Sequence, residues 1–260
     1  MRPRVELGRF LIRLGNFIRS ASLMVLRADD LIEFSRQTYA RPKNIAAWVK
    51  PDFVDAGLNQ EEKALLKKLP LTHGRLLLLG VGGGREAIPL IQMGFDVTGV
   101  DFIPEMLVKA KKNAVRHGVE MKGIVQEISC LDVPESSYGA AWMSAAMYSS
   151  VPTKQRRIAM LKRIRQALRP GGYFLCQYYW GADNFNSLKA EKAGKVLAWL
   201  TLGNISYEPG DMLWHDIEFI HSFSSKEDLQ NEFASGGFDI IHLQIPEKKM
   251  RGGAVLRKSG

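Results

Sequence analysis

Apolar residues along the chain keep one period, lose it, and then switch between two others. Over residues 1–27, Leu7, Phe10, Leu11, Leu14, Phe17, Ile18 and Ala21 recur at steps of three and four, a single stripe on an α-helix. "DDLIEFSRQTYA" and "RPKNIAAWV" continue the helical pattern, with Asp29 or Asp30 placed as a cap and Pro42 opening a new segment. Residues 1–60 are therefore expected to be an all-helical cap over the mouth of the unit at 61–260. At Leu76–Leu79 the period vanishes into a continuous apolar run of strand length, the mark of a strand buried on both faces of a parallel sheet. "REAIPLIQMG" reads as a helix shortened or kinked by Pro89, Val97–Val100 as a second strand, and "PEMLVKAKKNAVRHG" as a helix from Pro104 to Gly118. "MKGIVQEIS" and "GAAWMSAAM" supply strands three and four. The basic helix "KQRRIAMLKRIRQAL", closed by "RPGG", leads into strand five, "YFLCQYYW". This β-α-β beat predicts an α/β fold with a doubly wound, mostly parallel sheet and ligands at the carboxyl ends of its strands. An aromatic insertion at about 181–216 is expected to form a second cap, and the segment beyond it reads strand, helix, strand, strand.

The loop after the first strand carries the candidate chemistry. Gly80-Val81-Gly82-Gly83-Gly84 gives G-x-G-x-G, and the following helix presents free N–H groups to a polar or anionic ligand group. The dinucleotide pattern G-x-G-x-x-G fails because Arg85 occupies its third glycine position, and the G-K-[ST] of a phosphate-binding loop is absent. Asp101, at the tip of the second strand, has the position from which an acid accepts ribose hydroxyls.

In order and spacing, "LLLLGVGGG", "VTGVDFIPEML", "VQEISCLDVP" and "LRPGGYFLCQ" resemble the four signature segments of class I S-adenosylmethionine-dependent methyltransferases, over roughly Leu76 to Trp180. The resemblance implies a Rossmann-like fold with an antiparallel C-terminal hairpin at the sheet edge, and S-adenosyl-L-methionine as cofactor. It implies that Gly80, Gly82 and Gly84 form the cofactor loop and that Asp101 holds the ribose. Phe102, Met106, Glu127, Ile128 and Ala145 would then surround the adenosine, with Glu127 toward the adenine amino group. The chain departs from the family at Leu78, where an acid that helps position the ligand's amino group is common.

An acceptor should sit after strands four and five and under the caps. Tyr39, Tyr148, Tyr179, Trp180 and Trp214 are the candidate lining residues, and Tyr148, His215 and His221 the candidate catalytic ones. A sulfonium methyl is already activated, so the protein's task is to align a nucleophile, exclude water and, for a hydroxyl or ammonium, take a proton. The expected acceptor is a small or lipid-like molecule methylated on O, N, S or C. The alternatives are a tRNA or rRNA methyltransferase and a non-catalytic binding module on the same fold. "SAAMYSSVP" after strand four lacks the acidic or Asn residue followed by Pro-Pro-aromatic of enzymes that methylate exocyclic base nitrogens, which makes nucleic acid the weaker expectation.

Composition adds two points. Cys130 and Cys176 have no partner at metal-ligand or disulfide-framework spacing, so no metal is expected and a reducing, cytoplasmic setting is. The net charge of +9 concentrates at the start, where residues 1–27 hold six arginines (Arg2, Arg4, Arg9, Arg13, Arg19 and Arg27) against Glu6. Arginines break every apolar run there before it nears about 18 residues, too short to span a bilayer. The stripe is expected to be covered by the protein's own core or a second subunit. Peripheral contact of residues 1–27 with anionic lipid is the alternative, and a nucleic-acid contact the third.

Overall fold

A computed structural model describes residues 2–181, 195–214, 218–247 and 250–260. Five helices come first: α1 (Pro3–Val25), α2 (Ala28–Tyr39), α3 (Pro42–Trp48), α4 (Pro51–Asp55) and α5 (Gln60–Leu66). The three proline starts reflect its fixed φ and missing N–H, both harmless in a first turn. The alternating part runs β1 (Gly74–Leu79), α6 (Ala87–Gln92), β2 (Phe95–Asp101), α7 (Pro104–Arg116), β3 (Lys122–Val125), β4 (Tyr138–Met143), α8 (Lys154–Ala167) and β5 (Leu168–Trp180). It closes with β6 (Asp211–Trp214), β7 (Glu218–Phe223), α9 (Lys226–Ser235), β8 (Phe238–Gln244) and β9 (Met250–Lys258).

The strands β3-β2-β1-β4-β5 lie parallel in that order, and β9 then runs antiparallel to both β5 and β8. The sheet is thus doubly wound and mostly parallel, as expected. The antiparallel C-terminal hairpin has its second strand inside the sheet, β9 lying between β5 and β8. Strand three is shorter than expected, ending at Val125, because Glu127 turns the chain into a 3-10 turn by accepting from the Ser129 N–H at 2.8 Å. Strand five is longer, because "RPGG" joins it through an irregularity opposite Tyr138 and Ala140 rather than standing as a turn before it.

Two-residue periodicity explains the layers. Leu77 and Leu79 pack with Met160, Leu161 and Ile164 of α8 and Leu229 and Phe233 of α9. Leu76 and Leu78 point the other way, into Leu65 of α5, Leu90 of α6 and Leu107 of α7. All four leucines are essentially inaccessible, and truncating any one to Ala would cost about 2–5 kcal/mol.

The insertion after β5 holds a helical stretch at 195–200 and the strand β6, antiparallel to β7. A buried polar cluster ties it to the domain. Arg157 of α8 donates from Nε to Oε1 of Glu232 at 2.8 Å and from Nη2 to Glu208 at 3.1 Å, while the Tyr148 hydroxyl donates to the same Glu232. Both Arg157 and Glu232 are excluded from water. α2 lies against β7, the Ser35 hydroxyl accepting from the Phe219 N–H at 3.3 Å.

The first helix contradicts the expectation that its stripe is covered by the protein's own core. Leu23 and Met24 are buried with Leu31, Ala198, Tyr207 and Phe219, whereas Leu7, Phe10, Leu11, Leu14, Phe17 and Ile18 stay exposed. Among the described residues no helix is long and apolar enough to cross a membrane.

A buried ion pair is fragile when only one partner is removed. Arg157→Leu should lower the unfolding free energy by about 3–5 kcal/mol, because Glu232 is left charged and unpaired. The double variant Arg157→Leu/Glu232→Leu should recover much of that loss, both read from urea-denaturation midpoints.

Candidate active site

At the carboxyl end of β1 the chain turns through Gly80 (φ +76°) and Gly82 (φ +52°), with the Gly80 and Val81 N–H groups donating to the Val100 carbonyl of the neighbouring β2. A Cβ on Gly80 would lie 2.2 Å from the Met147 thioether, whereas one on Gly82 would project into open space. That space is a cavity of about 400 Å³ lined by α2, α3 and α4, the glycine loop, and the carboxyl ends of β2, β4 and β5. Gly83 serves the cap: a Cβ there would sit 2.3 Å from the backbone carbonyl oxygen of Trp48, so only glycine lets α3 rest on the loop.

Asp101 is the anchor beside the loop. Its Oδ2 accepts from Gly82 N–H and its Oδ1 from Ile103 N–H, each at 2.9 Å. Burial raises its carboxyl above the usual carboxylate value, and the backbone donors of Ile103, Gly82 and Phe102 oppose that rise. A carboxylate has about four lone-pair sites, so two remain for diol hydroxyls. Phe102, Met106 and Ile128 line the same end with Glu127, whose two oxygens take the Ser129 N–H and hydroxyl. Trp48, Ile45 and Tyr39 pack on Phe102 and Met106 and so roof this end.

On the far side of the loop, Arg85 and Glu86 line the cavity as a charged pair. Arg85 grips Glu62 of α5 at 2.6 and 2.9 Å and the Gly57 carbonyl at 2.7 Å, tying the helical segment to the loop. Glu86 also accepts from the Ser144 hydroxyl at 2.6 Å. Burial pushes its carboxyl up against the opposing pull of Arg85. After β4, Ala145 (φ +53°) and Ala146 (φ +61°) are both left-handed, and the Gln177 side chain holds the first by accepting from its N–H at 3.0 Å. Such strain in non-glycine residues, about 1–2 kcal/mol each, is maintained by the packing around it.

The remaining wall is aromatic. Tyr179 stacks on Trp214 with ring centroids 5.4 Å apart, and Arg251 lies 5.8 Å from the Tyr179 ring centre. One acid, Glu218 of β7, lines this wall together with Tyr39. Burial raises the Glu218 carboxyl, opposed by Tyr39 and Arg251.

Of the residues singled out from sequence, Gly80, Gly82, Asp101, Phe102, Met106, Glu127, Ile128, Ala145, Tyr39, Tyr179 and Trp214 line this cavity. Four others do not. A Cβ on Gly84 would lie 3.5 Å from the Ala110 backbone of α7, so this glycine faces that helix. Tyr148 is fully buried between Phe223 and Phe233, because the two left-handed alanines turn the chain inward before it. Trp180 sits against the core beside Tyr178. His221 is buried and bonded through Nδ1 to Asp211 at 2.7 Å, away from the cavity. His215 lies outside the described residues. Glu86, Arg85, Glu218 and Arg251 carry the charge of the cavity and were not singled out; no spacing marks them, since helix and sheet packing alone bring them there.

Residues 76–172 match the family model described as "Methyltransferase domain". The chain is 29% identical over 122 residues to a phosphatidylethanolamine N-methyltransferase of Cereibacter sphaeroides, covering 46% of this chain and 58% of that one. It is 28% identical over 106 residues to a ubiquinone biosynthesis O-methyltransferase of Xylella fastidiosa, covering 41% and 42%. The chain thus spans about half the length of these relatives. In fold it is similar to an S-adenosylmethionine-dependent methyltransferase of Clostridium acetobutylicum (TM-score 0.60, 13% identity, 84% and 99% of the two chains). It is also similar to one of Methanosarcina mazei (TM-score 0.59, 22% identity, 78% and 99%).

The geometry makes two demands on cofactor binding. Asp101→Ala should weaken S-adenosylmethionine binding by about 1–3 kcal/mol, having removed an acceptor from a buried site. Gly83→Ala should weaken it too, through displacement of α3, and should make residues 42–55 more sensitive to protease. Calorimetry and limited proteolysis read the two; unchanged affinity in both variants would place the cofactor elsewhere.

Proposed function

We propose that the class I S-adenosylmethionine-dependent methyltransferase domain of this chain methylates a small or lipid-like acceptor bound against the aromatic wall. The observation that carries this reading is the division of one cavity into two unlike ends. The end at the glycine loop offers Asp101 and Glu127, a polar frame for an adenosine. The other offers Ile32, Ile220, Tyr179 and Trp214 around Tyr39, Glu218 and Arg251. A largely apolar wall with a few placed polar groups, Glu218 and Arg251 among them, suits an amphiphile presenting an amine or hydroxyl. That two relatives carry phospholipid and ubiquinone-pathway names agrees with this reading.

The cofactor supplies an electrophilic methyl on a positively charged sulfur. The chain's residues do the rest. Asp101 would accept from the ribose hydroxyls, and Phe102, Met106 and Ile128 would hold the adenine. Glu86 would meet the ammonium of the methionine end, its neighbour Arg85 being committed to Glu62 and the Gly57 carbonyl. Glu86 thereby takes the task of the acid missing at Leu78, from the start of α6 instead of the end of β1. α2 and α3 roof the cavity and exclude water, which would otherwise compete as nucleophile. Glu218 takes the proton from the acceptor's hydroxyl or ammonium, with Tyr39 orienting its carboxylate.

A base must be ionised to accept a proton. Burial holds the Glu218 carboxyl above its ordinary value, so it is neutral at low pH and gains its charge only as pH rises past that raised value. Turnover should therefore climb with pH on the acid side, along a limb lying above the usual carboxylate range. Glu218→Gln should abolish that limb and lower kcat by about 10²–10⁴-fold, with S-adenosylhomocysteine affinity unchanged. The assay offers amine-bearing and hydroxyl-bearing amphiphiles in micelles beside tRNA. Methylation of tRNA alone would overturn the acceptor class, and a limb that survives in Glu218→Gln would assign the proton to another group.

A further inference from the structure

The exposed face of α1 and the insertion that packs on its end form one surface. α1 is 23 residues long, about 35 Å at 1.5 Å per residue. Among the described residues, its last turns pack on the protein through Leu23 and Met24. On the remainder, Leu7, Phe10, Leu11, Leu14, Phe17 and Ile18 fall within one third of the helix circumference, and Phe17 is 68% exposed. Arg2, Arg9 and Arg13 border this stripe on one side and Arg4 on the other, at 100° per residue. Glu6 is the one acid in the helix and is paired with Arg9.

A second apolar group continues the face. The Asn204 N–H donates to the Met24 carbonyl at 2.7 Å, and Arg27 Nε donates to the Leu202 carbonyl at 2.7 Å. These bonds seat residues 195–207 on the end of α1. There Trp199, Leu200, Leu202 and Ile205 are all at least 66% exposed. Neighbouring large apolar side chains left in water on two elements that brace each other mark an interaction surface.

The structure assigns this surface to the headgroup boundary of an anionic lipid bilayer. Three occupants would cover the apolar stripe or meet the arginines, and only one does both. A second copy packed stripe to stripe would bring two arginine borders together with a single acid per helix to offset them, an unfavourable juxtaposition. A nucleic acid would meet the arginines and leave the phenylalanines in water. A bilayer takes the stripe into its acyl boundary while the arginines extend to anionic headgroups, with Trp199 suited to the interface itself. The same insertion carries β6, whose Trp214 lines the cavity, so bilayer contact and cavity share one structural unit. The assignment stands on α1 and 195–207 alone and holds whatever the cavity methylates.

The test uses the full 260-residue chain and sedimentation with vesicles of pure phosphatidylcholine or of an equimolar mixture with phosphatidylglycerol. Partition onto the mixed vesicles should exceed that onto the neutral ones and fall between dilute buffer and molar salt. Arg4→Gln/Arg13→Gln should lower it about fivefold per arginine removed. Phe10→Glu/Phe17→Glu and Trp199→Ala/Leu202→Ala should each lower it at least as far. All these side chains are exposed, so thermal midpoints and S-adenosylhomocysteine affinity should match the parent, which separates a lost surface from a lost fold. Equal partition onto both vesicle types, or partition untouched by the variants, would overturn the assignment. So would a dimer, seen by sedimentation velocity, that dissociates in Phe10→Glu/Phe17→Glu while vesicle binding is absent. Retention of tRNA without any vesicle binding would overturn it likewise.

Discussion

The burial of Leu76–Leu79 on both faces is the constraint from which the architecture follows. A strand with apolar side chains on both sides must lie inside a sheet that is itself covered on both sides. The chain meets that demand with α5, α6 and α7 on one face and α8 and α9 on the other. Parallel neighbours on both edges of β1 then require helical crossovers, and every crossover leaves its strand at the same end of the sheet. The glycine loop, Asp101, the left-handed alanines after β4 and the aromatic end of β5 therefore converge without any pairwise attraction having to bring them together. What must be added locally is small: glycines where the backbone turns or is approached, and acids where ligand donors will lie.

The cap obeys a different rule. The helices ahead of β1 lack contiguous apolar runs; they reach the core through scattered side chains such as Leu31, Ile45, Val54 and Leu65, and specific polar contacts at a few points fix their placement. Arg85 reaches across to Glu62 and the Gly57 carbonyl, Ser35 to Phe219, and the Trp48 carbonyl settles against Gly83. On the opposite side, Arg157, Glu232, Glu208 and Tyr148 pin the insertion to α8 and α9. Buried charge pairs contribute little net stability over apolar packing but are unforgiving of the wrong geometry. They suit a roof that must be placed accurately over a cavity more than one that must be strongly bound.

This difference explains what was legible in the amino-acid sequence. Strands and crossover helices are written in local periods, so β1, β2, β4, β5, α7 and α8 could be read with errors mainly at their ends. The ends went wrong where a side chain or a packed neighbour overrode the period: Glu127 ends β3 early, and pairing with β4 draws "RPGG" into β5. The residues at the glycine-loop end of the cavity were legible because loop chemistry fixes them close to their strands. The aromatic wall was legible only in part. Tyr39, Tyr179 and Trp214 face the cavity, but Tyr148 and Trp180 do not. Two positive-φ alanines decide the direction of Tyr148, and nothing in a run of small residues announces them. Glu218 and Arg251 reach the wall from two other strands of the C-terminal part, a proximity that tertiary structure alone sets.

Arg85 shows why a broken motif should be read for what replaces it. At the third position of a dinucleotide fingerprint a glycine lets the helix pack closely on the strand. Arginine there excludes that packing, which is how the sequence argues against a dinucleotide. The structure gives the substitution a positive content. The guanidinium turns away from the sheet to hold α5, and so draws Glu62 into full burial and leaves Glu86 facing the cavity beside Ser144. One residue thereby locks the roof and positions an acid beside the glycine loop, where β1 offers only Leu78. An acid within β1 would have to be buried among Leu65, Leu107 and Leu175, in the apolar layer that Leu78 now fills. Moving it to the start of α6 keeps that layer intact, and an arginine beside it offsets the burial of its charge. The departure at Leu78 and the departure at Arg85 are thus a single rearrangement, in which the polar group moves from the core strand to the loop that needs it.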